Sequence, residues 1–166
     1  KLNVCTVIGF PLGYNTTETK VYETQKALAD GAGEVDMVVN LGDVKNGEFP
    51  KITREIEAVK KAAGSHVVKV IIETCYLTED EKRELCKCVT DGGADYIKTS
   101  TGFGTAGARI EDVRLFKRYI GEGVKIKAAG GVKTREDLEQ FLEEGCERIG
   151  TSSALKLLGG QEAGTY

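Results

Sequence analysis

Residues 67–99 read VVKVIIETCYLTEDEKRELCKCVTDGGADYIKT, and this stretch carries the plan of the chain. Val67 to Glu73 is a β-branched run too short for a helix. Thr78 followed by Glu81 has capping-box spacing, in which each residue's side chain covers the other's orphan amide at a helix start. Asp91-Gly92-Gly93 puts glycine where a helix must turn left-handed to stop. Tyr96 to Thr99 is a second apolar run. Strand, helix, glycine stop and strand make one βαβ unit.

The same reading extends in both directions. Further β-branched runs fall at Val4 to Ile8, Val35 to Asn40, Val124 to Ala128 and Arg148 to Thr151. Helical periodicity appears between them: Ile52, Ile56, Val59 and Ala63 share a face, as do Val113, Phe116 and Ile120, and Leu138, Phe141 and Leu142. Thr134 and Asp137 repeat the capping spacing. Asp30-Gly31-Ala32 and Glu144-Gly145-Cys146 repeat the glycine stop. The repeat length is about 29 residues, enough for a strand and its crossover helix. Strict alternation predicts a parallel sheet covered by helices. An open doubly wound sheet and a closed (β/α)8 barrel both satisfy it. The first strand runs into Gly9-Phe10-Pro11-Leu12-Gly13, which lacks the dinucleotide fingerprint G-x-G-x-x-G. Eight units would need roughly 230 residues, a typical barrel. We therefore expect a single partial α/β barrel domain over residues 1–166, with about six of eight βα units. The chain opens Lys-Leu-Asn-Val without Met, directly in a strand pattern. The two units lacking are thus expected to be the first two.

Composition narrows the function classes. Lys plus Arg is 23 and Asp plus Glu is 26, a net charge of −3 that gives no field to attract a nucleic acid. No apolar run approaches the roughly 20 residues that span a bilayer, and no signal-peptide pattern is present. Neither nucleic acid nor membrane is an expected partner. The five cysteines are an odd count scattered through apolar segments. They read as reduced thiols of a cytoplasmic protein. His66, the sole histidine, is too little for a His-rich zinc site or a His-based triad.

In parallel α/β folds the chemistry sits at the C-terminal ends of strands. Lys98 and Lys127 lie there inside core-strand patterns, although lysine is among the residues least often buried. Asp36, between Val35 and Met37, is a carboxylate that needs a partner if buried. Lys69 occupies a similar place, as an ion-pair partner or a direct participant. A barrel interior would bring the four together. An ordinary lysine, with pKa near 10.4, offers about one neutral amine in a few thousand at pH 7. A second ammonium and a desolvated pocket both favour the neutral form. That is how a Schiff-base lysine is made. Spacing alone leaves open which lysine is the nucleophile. Gly130-Gly131 after one strand, and Gly150 to Ser153 after the next, let backbone amides approach an anion. A short helix from Ala154 to Leu158 would favour phosphate at its start.

The segments Glu34-Val35-Asp36-Met37-Val38, Lys69 to Thr74, Tyr96-Ile97-Lys98-Thr99-Ser100-Thr101-Gly102, Lys127-Ala128-Ala129-Gly130-Gly131-Val132 and Arg148-Ile149-Gly150-Thr151-Ser152-Ser153 occur in order and with family spacing. Together they resemble the 2-deoxyribose-5-phosphate aldolase family, class I aldolases on a (β/α)8 barrel. The resemblance runs the whole chain. It implies reversible cleavage of 2-deoxy-D-ribose 5-phosphate to D-glyceraldehyde 3-phosphate and acetaldehyde, in deoxyribonucleotide catabolism. It implies Lys98 as the Schiff-base lysine, Lys127 as the lysine that depresses its pKa, and Asp36 as the acid/base carboxylate, with Lys69 supporting. Phosphate falls to Gly102, Gly130, Gly131, Gly150, Ser152 and Ser153, and Tyr166 stands where several members carry a mobile proton-exchanging tyrosine. Phe103 departs from relatives that have lysine there, which shifts phosphate binding toward backbone donors. No metal or cofactor is required. The expected partners are a phosphosugar and an aldehyde, with a homo-oligomer, dimer or tetramer, since open sheet edges invite association. Two rival readings remain: a phosphosugar isomerase or epimerase that uses Asp36 without a covalent intermediate, and an inactive phosphosugar-binding fragment.

Overall fold

The computed structural model describes residues 2–159; Tyr166 lies outside them. Six strands, β1 (Cys5–Ile8), β2 (Glu34–Val38), β3 (Val67–Ile71), β4 (Tyr96–Lys98), β5 (Lys125–Ala129) and β6 (Arg148–Gly150), form one sheet in chain order. Every neighbouring pair is parallel. The order never reverses, so this is the barrel arrangement and not the doubly wound one. Among the described residues β1 and β6 are the two edges of the sheet. All five residues of β2 are buried, whereas β1 and β6 each keep exposed positions.

Seven helices alternate with the strands: α1 (Thr17–Ala29), α2 (Leu41–Lys45), α3 (Phe49–Ala63), α4 (Glu79–Asp91), α5 (Ile110–Tyr119), α6 (Arg135–Glu143) and α7 (Ala154–Leu158). Both capping boxes form, Thr78 with Glu81 and Thr134 with Asp137, so α4 and α6 start where their sequences place the starts. Each such cap contributes about 1 kcal/mol. Gly93 and Gly145, after α4 and α6, have φ of 72° and 102°, a backbone that a Cβ would strain.

Period-two alternation sorts the strand residues onto two faces. Val35, Met37, Val68, Val70, Ile97, Ile126 and Ala128 join the core under the helices, packed with Ile52, Ile56 and Val59 of α3, Leu85 and Val89 of α4, and Val113 and Phe116 of α5. Each of these side chains other than Ala128, fully buried, contributes roughly 1.5–3 kcal/mol. Leu142 does not share the buried face expected of it: it is 47% exposed, and α6 buries Phe141 instead.

The alternate residues Glu34, Asp36, Lys69, Lys98 and Lys127 face the concave side and are paired to one another. A second buried pair ties α1 to the sheet. Lys20 is fully buried, and its Nζ donates to Glu55 Oε1 at 2.6 Å and to the Val38 carbonyl at 2.8 Å. This clamp fixes the C-terminal end of β2, two residues beyond Asp36. All five cysteines are free thiols. No helix among the described residues is long and apolar enough to cross a membrane.

Candidate active site

The strand register assembles the site. Asp36 on β2 is level with Lys69 on β3, and Lys98 on β4 is level with Lys127 on β5. Adjacent parallel strands send level residues to the same side, so these groups converge. The Nζ of Lys98 and the Nζ of Lys127 both donate to Oδ2 of Asp36, at 2.8 and 2.7 Å. The Lys69 Nζ donates to Oδ1 at 2.9 Å. One carboxylate thus holds three ammonium groups. The Cys5 thiol, on β1, also reaches Oδ1 at 3.2 Å.

Burial would raise the Asp36 carboxyl, but the charges and hydrogen bonds of Lys98 and Lys127 outweigh it and hold Asp36 well below the usual carboxylate range. An anion so stabilised is a weak base. Burial is also the largest influence on Lys98, and it pushes this amine below the ordinary lysine range. Asp36 opposes that shift and Lys127 reinforces it. Desolvation therefore depresses Lys98 more than the second lysine does. Lys69 goes the other way: burial would lower it, but its hydrogen bonds to the Glu34 and Asp36 carboxylates, with the Asp36 charge, raise it. Among the lysines around Asp36, Lys98 is shifted toward a neutral amine while Lys69 is held as a cation.

Lys98 lines a cavity of about 450 Å³ whose other walls are the loops after β4, β5 and β6. Thr101, Gly102, Gly130, Gly131, Gly150, Ser152 and Ser153 all line it, so the expected anion-binding residues and the expected nucleophile share one space. Two close approaches shape it. A Cβ on Gly107 would collide with the Gly130 carbonyl, and a Cβ on Gly150 would meet the Ala129 Cβ at 2.9 Å. The Ala108 amide donates to the Gly130 carbonyl at 3.0 Å, which pins the loop after β4 to the loop after β5. Ser153 does not cap α7 with its side chain, and its amide donates to Thr151 Oγ1 at 3.1 Å. The helix is only five residues long. The glycine loops and serine hydroxyls, more than a helix dipole, are thus what this corner offers to the expected anion. The described residues contain no cluster of three or more His, Cys, Asp or Glu placed to hold a metal ion.

Two participants escape a reading of the sequence. Glu34, 1% exposed, sits one layer below Asp36 and holds Lys69 at 2.6 Å. Arg148 of β6 also holds it, through two terminal nitrogens that donate at 2.9 and 3.1 Å. The period-two spacing from Glu34 to Asp36 was the available signal. Glu73 is the other: it is buried, has a left-handed φ of 54°, and accepts from the amide of Thr101 at 3.1 Å and from its hydroxyl. It thereby braces the loop that follows Lys98.

Residues 2–160 match the family model described as DeoC/LacD family aldolase. A curated deoxyribose-phosphate aldolase of Clostridium botulinum (strain Alaska E43 / Type E3) is 63% identical over 166 residues, all of this chain and 75% of that protein. Among solved structures, the aldolase QR15 superposes with a TM-score of 0.92 at 42% identity, covering 96% of this chain and 72% of its own. A deoxyribose phosphate aldolase from Aeropyrum pernix, described as having a unique tetrameric structure, superposes with a TM-score of 0.83 at 33% identity, covering 96% and 68%.

Proposed function

The chain belongs to the DeoC/LacD family of aldolases, and from that premise we propose that it carries out the deoxyribose-phosphate aldolase reaction through an imine on Lys98. The observation that carries this reading is the joint one: a buried lysine, shifted toward its neutral form, lines the same cavity as the Gly130-Gly131 and Gly150–Ser153 loops. An isomerase would have no use for such an amine.

The neutral Lys98 amine attacks the carbonyl carbon of acetaldehyde, and loss of water leaves an iminium. The iminium draws electrons from the adjacent methyl group, whose proton becomes removable. Asp36 is too well stabilised to take that proton alone. It acts as the anchor of a relay, with Lys127 and a bound water moving the proton. The resulting enamine carbon forms the new bond to the aldehyde carbon of D-glyceraldehyde 3-phosphate. Water then hydrolyses the product iminium and frees Lys98. Gly102, Gly130, Gly131, Gly150, Ser152 and Ser153 hold the phosphate, which fixes the aldehyde within reach of the enamine. Lys69 keeps Asp36 charged and oriented. The reaction needs no cofactor. Exposed apolar residues such as Leu12, Tyr14 and Phe103 at the rim suit assembly into a homo-oligomer.

Borohydride reduction in the presence of acetaldehyde tests the proposal. A two-carbon adduct on Lys98, absent in Lys98→Arg, is expected, because arginine keeps the charge but offers no neutral amine. An adduct that persists in Lys98→Arg refutes it.

A further inference from the structure

The layer beneath the catalytic one is charged as well, and its parts are connected. Glu34 receives Lys69 on one side and the Arg148 guanidinium on the other. Lys69 in turn pairs with both Glu34, at 2.6 Å, and Asp36, at 2.9 Å. Arg148 is on β6 and Glu34 on β2, strands that are not neighbours in the sheet. The chain of contacts Arg148–Glu34–Lys69–Asp36–Lys98 therefore crosses the concave face instead of running along a strand.

We infer that Glu34 and Arg148 are positioning residues that set the protonation of Lys98 by controlling how much of Lys69 is available to Asp36. This rests on Lys98 being the imine-forming residue. Glu34 draws the Lys69 ammonium away from Asp36, so that Asp36 keeps charge to spend on Lys98. Arg148 competes for Glu34 and limits that pull. The two residues work in opposite directions on the same amine. Lys98 is otherwise faced by Lys127 from β5 and by Cys5 from β1, both of which also reach Asp36 or its partners. Arg148 is further faced by the Tyr96 ring at 5.8 Å, with Lys125 on the same ring at 5.9 Å. None of these separates Glu34 from Lys69.

The opposition gives a signature that a merely structural role lacks. Glu34→Gln removes a negative charge and weakens the hold on Lys69, which then turns more fully to Asp36. The pH midpoint of acetaldehyde trapping by borohydride then moves down. Arg148→Met removes a positive charge and lets Glu34 take more of Lys69, so the midpoint moves up. Loss of one nearby unit charge acting through a mixed medium is expected to move the midpoint by about half a pH unit or more. Arg148→Lys keeps the charge and restores the midpoint of the parent chain. The Arg148 side chain is 46% exposed, so its replacement leaves the core intact and carries the test if Glu34→Gln fails to fold. Full-chain protein is used throughout, with the trapping rate followed from pH 5 to 10. Shifts of opposite sign support the inference. Equal loss of rate at every pH, shifts of the same sign, or no shift in Arg148→Met overturns it. A parent chain that traps no acetaldehyde on Lys98 overturns the aldolase mechanism itself, a separate result.

Discussion

Replacing Lys127 by leucine separates charge from proton transfer at the heart of the site. Lys98 and Lys127 donate to the same oxygen of Asp36, at 2.8 and 2.7 Å. Two donors on one carboxylate oxygen at an ordinary angle stand about 4–5 Å apart, where unit charges repel by about 3–4 kcal/mol at an effective dielectric of about 20. That corresponds to roughly two to three pH units. Burial is the larger influence on Lys98 and survives the substitution, so Lys98 does not return to an ordinary lysine. Lys127→Leu also leaves Asp36 with fewer partners, which strengthens its hold on the Lys98 ammonium in the same direction. The pH midpoint for imine formation is therefore expected to rise by about two units or more, with the high-pH plateau retained. The assay is the initial rate of borohydride trapping of acetaldehyde across pH 6 to 11, beside the aldol rate on the full substrate. If Lys127 also moves the proton, the aldol rate stays low even where trapping has recovered. An unshifted midpoint, or equal loss of trapping at all pH values, refutes the electrostatic account.

Ser152→Asp puts a fixed negative charge in the cavity wall, where like charge and desolvation oppose an anion. It is expected to weaken deoxyribose 5-phosphate far more than unphosphorylated deoxyribose, and steady-state kinetics on both substrates decide it. Gly107→Ala drives a methyl into the Gly130 backbone, which displaces the loop that Ala108 pins. It is expected to raise the KM for the phosphorylated substrate several-fold with the Lys98 trapping midpoint unchanged. The Glu34 carboxyl is lowered to about 2, despite burial, by Lys69 and Arg148. Its contribution to stability is thus present above the ordinary glutamate pKa and is lost as pH falls toward 2. Urea midpoints measured at pH 6 and pH 3 should converge in Glu34→Gln relative to the parent chain; an unchanged difference contradicts the assignment.

The alternation of strands and helices was legible from local signals alone. Strand and helix periods, capping boxes at Thr78 and Thr134, and glycine stops such as Gly93 and Gly145 are local signals. Each depends on residues a few positions apart, so each is readable without the tertiary structure. Lys98, Lys127, Asp36 and Lys69 were legible as charged residues in apolar strands, and the motif strings supplied their expected roles. Strand register could not be read, and register decides which charges meet. It placed Lys98 level with Lys127 and sent both to one oxygen of Asp36. It also brought Arg148 to Glu34 across 114 positions of sequence. The balance of forces on Lys98 was equally out of reach, because desolvation depends on everything packed around the amine, and here it outweighs the neighbouring ammonium. Leu142 shows the same limit from the apolar side: its period fits the buried face of α6, but α6 packs against β6, an edge of the sheet, and leaves Leu142 47% exposed. Pattern fixes which faces are apolar and where elements begin, while distances between charges and the solvent left between them exist only once the sheet has curved and closed on its side chains.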